Sequence, residues 1–196
     1  VILPCNDTGI KQAYETIQKG GTVVFPTDTV YGIGCDPRNQ DAINKIYKIK
    51  GREKIKRLPV LAYSKKDIAN IAFFDEISEK IADKFWPGPV TLILRIKDKK
   101  IEKALDLKDK IAVRVPNHSC VLALLEKCRL LVGTSANFSG ESSFSDSKEV
   151  ASKFSGYDIL LDGGQISNSY ESTIVEVVNN ELKIVREGKI KMESLV

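Results

Sequence analysis

The chain has 196 residues, 42% of them hydrophobic, and a formal net charge of +4. That length suits one domain with a sizeable core, and the longest apolar run, Cys120–Leu125, is too short for a transmembrane helix. The charge is compatible with phosphate-bearing ligands but too weak by itself to argue for duplex nucleic-acid binding.

In chain order, Ile10, Tyr14 and Ile17 share one helical face, and Gly20-Gly21 ends that helix. A β-branched strand, Thr22–Phe25, then breaks at Pro26. A second helix is predicted over Gln40–Ile49 from the stripe Ala42, Ile43, Ile46 and Ile49, and Gly51 stops it. Leu58–Ala62 reads as a strand, and Ser64 caps a short helix over Lys65–Ile71 with Asp67 at its third position. Ile77, Ile81 and Phe85 continue helically to the rigid breaker Trp86-Pro87-Gly88-Pro89. Val90–Ile96 and Ile111–Val115 read as strands separated by a lysine-rich connection.

Cys120–Lys127 is helical, Leu130–Gly133 a short buried strand, and Asn137–Ser147 a polar loop. Lys148–Phe154 is a helix and Asp158–Leu161 a strand. Ser172–Val178 and Glu181–Val185 form a hairpin, because Asn179-Asn180 tolerates positive φ. This mixture of hairpins and helical crossovers predicts an α/β fold with a twisted, partly antiparallel sheet. There is no internal repeat.

Four cysteines, at 5, 35, 120 and 128, include no CxxC pair. They predict small buried or half-buried thiols rather than metal ligands or a disulfide framework. The single histidine, His118, excludes most zinc sites and any hydrolase triad that does not use it. It follows Pro116-Asn117 and reads as a turn residue at a helix start. Val1–Cys5 is short and apolar, with Asn6 and Asp7 directly after it, so no signal peptide is visible and the chain reads as soluble and intracellular.

The stretch Thr22–Gly34, TVVFPTDTVYGIG, runs a buried strand into small hydroxyls, a carboxylate and glycines. Such residues at a sheet edge are where α/β proteins bind ligands, and they also suit an ordinary polar turn. Lys50 and Arg52 would point about 200° apart on a continuing helix, but Gly51 ends it and lets both reach one anion. A solvated basic turn is the plainer reading. Thr134-Ser135-Ala136-Asn137 again places hydroxyls and an amide at a strand end, as an ordinary turn also would. Arg114 lies in the apolar strand IAVRVP, facing away from Val113 and Val115, so it reaches solvent or meets an anion. Ser172 and Arg186 are further polar residues at strand ends. No GxxxxGK[ST] or GxGxxG loop is present, and paired-carboxylate catalysis is not indicated.

Taken together, PTDTVYGIG at 26–34, K-x-R at 50–52, FWPGPVTLIL at 85–94, VRVP at 113–116, TSAN-x-SG at 134–140, STIV at 172–175 and R-x-G at 186–188 resemble the YrdC-type threonylcarbamoyl-AMP synthases. The resemblance covers nearly the whole chain and is to the single-domain form, with residues 1–196 as one YrdC-like domain. It implies a twisted open mixed sheet flanked by helices around a large basic cavity. The implied reaction joins L-threonine, bicarbonate and ATP into threonylcarbamoyl-AMP and pyrophosphate for tRNA threonylcarbamoyladenosine.

The resemblance also assigns residues. Lys50, Arg52, Ser135 and Asn137 are implied as the catalytic nucleotide and phosphate set, with Arg186 a further ATP contact. Thr27, Arg114 and Ser172 are implied to hold threonine, Arg114 on its carboxylate. Asp28 reads as a loop-holding carboxylate rather than a base. Mg2+ would be held mainly by the phosphates, without a protein metal site. A cytoplasmic location, a downstream threonylcarbamoyl transferase machinery and room for a tRNA contact complete the implied setting. The chain departs from many relatives after Arg52, reading EKIKRLP, which leaves the role of Lys54, Lys56 and Arg57 open. The polar Phe138–Ser147 loop and Gln165–Glu171 are the candidate lids. The alternatives are a non-catalytic RNA-binding module and a related carbamoyl-adenylate-forming domain.

Overall fold

The computed structural model describes residues 1–51, 53, 57–167 and 169–195. The chain opens with β1 (Ile2–Pro4) and α1 (Asp7–Gln18), whose first turn is capped by Asn6 accepting from Gly9 N. β2 (Val23–Phe25) and β3 (Gly32–Gly34) precede α2 (Gln40–Lys50), capped by Asn39. Gly51, at φ 58°, supplies the left-handed turn that stops α2.

β4 (Val60–Ala62), α3 (Lys65–Ile71), β5 (Ala72–Phe73) and α4 (Glu76–Phe85) follow. Ser64 caps α3 as predicted, and Asp75 caps α4 through a reciprocal box with Ser78. Then come β6 (Val90–Ile96), α5 (Lys99–Ala104), β7 (Lys110–Arg114) and α6 (Ser119–Cys128). β8 (Leu130–Val132), β9 (Thr134–Ser135), α7 (Ser147–Lys153) and β10 (Ile159–Asp162) lead into the hairpin β11 (Thr173–Val178) and β12 (Glu181–Arg186). Asn179 and Asn180 turn this hairpin at φ 53° and 61°, and α8 (Met192–Leu195) closes the chain.

The strands form two mixed sheets where one was predicted. The first runs β1-β10-β2-β3-β9; the second runs β12-β11-β6-β7-β4-β8, with β5 beside β6. The chain passes from one to the other between β8 and β9, across Gly133 alone. No local pattern marks that switch, so the sequence reads it as one strand. The lysine-rich connection holds α5, and the glycines of GIG are strand rather than turn. Both depend on neighbours: β3 is held between β2 and β9.

Register gathers the polar strand ends. β6 runs parallel to β11 with Ile174 opposite Thr91, and antiparallel to β7 with Leu92 opposite Val113. Ile174 also lies opposite Arg186 on β12. Thr91, Arg114, Ser172 and Arg186 therefore come to the same end of the second sheet.

One buried cluster joins Ile10, Ala13 and Ile17 of α1 to Val121, Leu124 and Leu125 of α6 and to Val23 and Phe25 of β2. A larger one runs from Ile43 and Ile46 through Val60, Leu92 and Val113 to Phe154. Where the sheets approach, a Cβ on Gly34 would sit 2.0 Å from Val132 O and 2.9 Å from the Phe25 ring. The obstacle is backbone and cannot swing aside. Gly34→Ala is expected to lower unfolding free energy by about 3 kcal/mol or more, read as a shifted urea midpoint. An unchanged midpoint would mean that the sheets can separate here at no cost.

Cysteine pairing differs from expectation. Cys5, just after β1, and Cys120, in the first turn of α6, form a disulfide with Cα atoms 5.4 Å apart and a sequence separation of 115. Spacing rules see only near neighbours, and this pair is made by tertiary packing. Cys35 and Cys128 are free thiols. Burial, with Asp36 adding to it, pushes both up, Cys128 to about 12, so neither is a thiolate at neutral pH. Among the described residues, no helix is long and apolar enough to cross a membrane.

Candidate active site

The polar end of the second sheet faces the β2–β3 turn of the first across a cavity of about 310 Å³. Its walls include Thr91, Ile93, Ala112 and Arg114 from β6 and β7, and Thr27, Thr29 and Val30 from the turn. Ser135, Ser172, Arg186, Glu171 and Arg57 also line it. Three guanidinium groups against one carboxylate, among the described lining residues, give it a cationic character.

Arg114 is the buried charge of this site, 5% exposed. Its Nε donates to Gly88 O at 3.1 Å and its Nη1 to Thr29 Oγ1 at 3.1 Å, while Nη2 donates to Asp28 Oδ1. The anion this arginine meets is thus supplied by the protein. Burial pushes the guanidinium below its ordinary value and Asp28 opposes that; arginine starts so high that it stays charged at neutral pH. Three of its five N–H groups are engaged by these contacts, and Arg114 itself lines the cavity.

The turn from β2 is built to hold this arrangement. Thr27 Oγ1 accepts from Thr29 N at 3.1 Å and Val30 N at 3.2 Å, and donates to Val30 O at 2.7 Å. Thr29 Oγ1 lies 3.0 Å from Thr27 Oγ1, completing a relay back to Arg114. Asp28 Oδ1 also accepts from Asn117 N at 3.0 Å. Close by, His118 caps α6 by accepting from Cys120 N, the turn role expected for it. Burial lowers its pKa against the opposing pull of Asp28, so the ring is neutral at neutral pH.

Ser172 and Arg186 form the second polar group. Arg186 Nη2 donates to Ser172 O at 2.9 Å and to Ser172 Oγ at 3.0 Å, and Nη1 pairs with Glu171 at 3.0 Å. Ser172 Oγ lies 2.9 Å from Thr91 Oγ1. At the rim, Arg57 pairs with Asp106 at 2.9 Å.

Lys50 and Asn137 stand elsewhere. The lining includes Ser135 but neither of these two. Lys50 is 2% exposed, and its Nζ donates to Ser135 O, to Asn137 O at 2.8 Å and to Asn137 Oδ1 at 3.3 Å. Its own carbonyl accepts from Ser139 N at 2.8 Å. Asn137 Nδ2 donates to Phe138 O and Glu141 O. Both residues brace the 135–141 loop behind the wall. Arg52, Lys54 and Lys56 lie outside the described residues.

Thr29, Gly88, Thr91 and Glu171 fall within stretches named from the sequence, but none was assigned a role at the site. Thr29 sits one residue beyond the singled-out Asp28, but nothing local ties Gly88 to Arg114. The two candidate lid stretches lie side by side: Ile166 N donates to Ser145 O at 2.7 Å, and Ser143 Oγ lies 3.4 Å from Glu171 Oε1. Among the described residues, no group of three or more His, Cys, Asp or Glu could hold a metal ion.

Two mixed sheets with an arginine-lined cavity between their strand ends define an α/β protein with a cationic pocket. The chain belongs to the Sua5/YciO/YrdC family: that family model, described as "Telomere recombination", matches residues 15–188. Over 99% of its length the chain is 34% identical to a Methanocaldococcus jannaschii protein provisionally named a threonylcarbamoyl-AMP synthase, covering 94% of that relative. It is 32% identical to the threonylcarbamoyl-AMP synthase of Bacillus subtilis, over 98% of this chain but 57% of the relative. Its structure matches Sua5 of Pyrococcus abyssi complexed with L-threonine at a TM-score of 0.89 and 31% identity, covering 100% of this chain and 58% of that one. The chain thus spans somewhat over half the length of these last two proteins. The resemblance drawn from seven short segments is borne out.

Proposed function

We propose that this chain, as one catalytic unit, is an L-threonylcarbamoyladenylate synthase. The observation that carries the reading is Arg114, a buried guanidinium held on three sides at a cavity wall with donors to spare for a substrate carboxylate. Similarity to synthases and to a structure bound to L-threonine points the same way. Thr27 and Ser172 share that end of the cavity, Thr27 shaping the turn. Arg186 and Ser135, with Arg52, serve the nucleotide, while Lys50 and Asn137 hold the loop that presents Ser135.

The neutral threonine amine adds to the carbon of bicarbonate and water leaves, giving the carbamate. A carbamate oxygen then attacks the α-phosphorus of ATP, and the bond to pyrophosphate breaks. Neither step needs a protein nucleophile. The chain contributes orientation, exclusion of water and cations that accept the developing charge. The described residues do not fit a protein cage for Mg2+; the ion fits as part of the ATP substrate, carried on phosphate oxygens. The product would pass, in the cytoplasm, to a transferase that modifies tRNA, with a direct tRNA contact as a further element.

Purified protein given ATP, Mg2+ and bicarbonate is expected to release pyrophosphate only when L-threonine is added. Threonine-independent release, or none, sinks the reading and leaves a binding module or another carbamoyl-adenylate chemistry.

A further inference from the structure

We infer that Asp28 is a positioning residue for carboxylate recognition, fixing the Arg114 guanidinium so that the N–H groups left over from its protein contacts can meet a substrate in the cavity. The inference rests on the reading of Arg114 given above and deepens it.

Asp28 lies one residue from two cavity-lining threonines, yet it is not among the described residues that line the cavity. Its side chain is 14% exposed and that of Arg114 7%. A single oxygen, Oδ1, accepts both from Arg114 Nη2 and from Asn117 N, three residues beyond Arg114. The carboxylate therefore ties the arginine to the turn in front of it and to the exit of its own strand. Gly88 O takes Nε, and Gly88 N in turn donates to Val115 O at 2.8 Å, so a third segment is locked to the same strand. Three acceptors on three different nitrogens fix the guanidinium plane.

This placement argues against Asp28 as a general base, since it is absent from the described cavity lining and its Oδ1 already accepts from Arg114 and Asn117. A role limited to stability is the remaining rival. The two differ in what they do to ligands. A positioning residue matters for a substrate that carries a carboxylate and little for one that does not. A merely structural residue affects both alike.

The test measures binding of L-threonine and of L-threoninamide, which lacks the carboxylate, by calorimetry in the presence of a non-hydrolysable ATP analogue. The wild-type chain is expected to prefer threonine by about tenfold or more, the effect of a charged hydrogen-bonded pair. Arg114→Ala should erase that preference. Asp28→Ala should erase most of it, while affinity for the ATP analogue stays within about twofold, because Asp28 has no part at the nucleotide end. Asp28→Asn keeps an oxygen acceptor in place and should retain most of the preference. Should Asp28→Ala fail to fold, Asp28→Ser, too short to reach the guanidinium but at home in a turn, is read in the same way.

Equal weakening of both ligands in Asp28→Ala, or an undiminished preference, overturns the inference even with Arg114 confirmed. Loss of the preference in Asp28→Asn overturns it too, since geometry is then not what matters. An undiminished preference in Arg114→Ala instead removes the reading of Arg114 itself, and the inference falls with it.

Discussion

Arg114→Ala is expected to weaken L-threonine binding by roughly 10- to 150-fold, the factor for losing hydrogen bonds to a charged group. ATP binding should change far less. The variant also strips Asp28 of its counter-charge while Asn117 N still holds it in a largely buried place. Breaking such a pair costs about 3–5 kcal/mol, so the urea midpoint falls as well. Titration calorimetry on protein shown to be folded separates the two effects. Equal losses for threonine and ATP would show that Arg114 supports the cavity as a whole rather than one substrate.

Lys50→Met has the second largest expected effect and reaches the nucleotide by another route. Methionine keeps the length and apolar stem of the side chain but removes the ammonium. Ser135 O, Asn137 O and Asn137 Oδ1 each then lose a buried donor. The expected loss of stability is on the order of a few kcal/mol, from buried acceptors left unsatisfied. As the loop that presents Ser135 loosens, the ATP-dependent step should fall further than threonine affinity. Amide hydrogen exchange at Ser139, whose N–H donates to the Lys50 carbonyl, should quicken before any ligand is added. Full stability with a damaged ATP step would mean that Lys50 touches the nucleotide directly.

These two residues illustrate what can be read along the chain and what cannot. Arg114 stands out in sequence as a charge inside an apolar strand, and that contrast by itself leaves two outcomes, solvent or an anion. Which anion is a separate matter. The answer, Asp28, lies 86 positions away. Lys50 gives the opposite lesson: beside Gly51 and Arg52 it reads as part of an exposed basic turn. Only the return of the 135–137 segment past the end of α2 makes it a buried cation wrapped in carbonyl oxygens.

Local features were legible because their physics is local. A cap needs a side-chain oxygen and an N–H two or three residues on, so Ser64 could be placed from sequence. The left-handed turns at Gly51 and Asn179-Asn180 depend on the residue's own backbone freedom. Polar residues closing apolar runs likewise marked the strand ends that meet at the cavity. Tertiary structure decided everything that joins distant segments: the division into two sheets across Gly133, the Cys5–Cys120 bond, and the gathering of Thr91, Ser172 and Arg186 beside Arg114. These depend on strand order and register, which many distant contacts set together. Spacing along the chain therefore carries no trace of them.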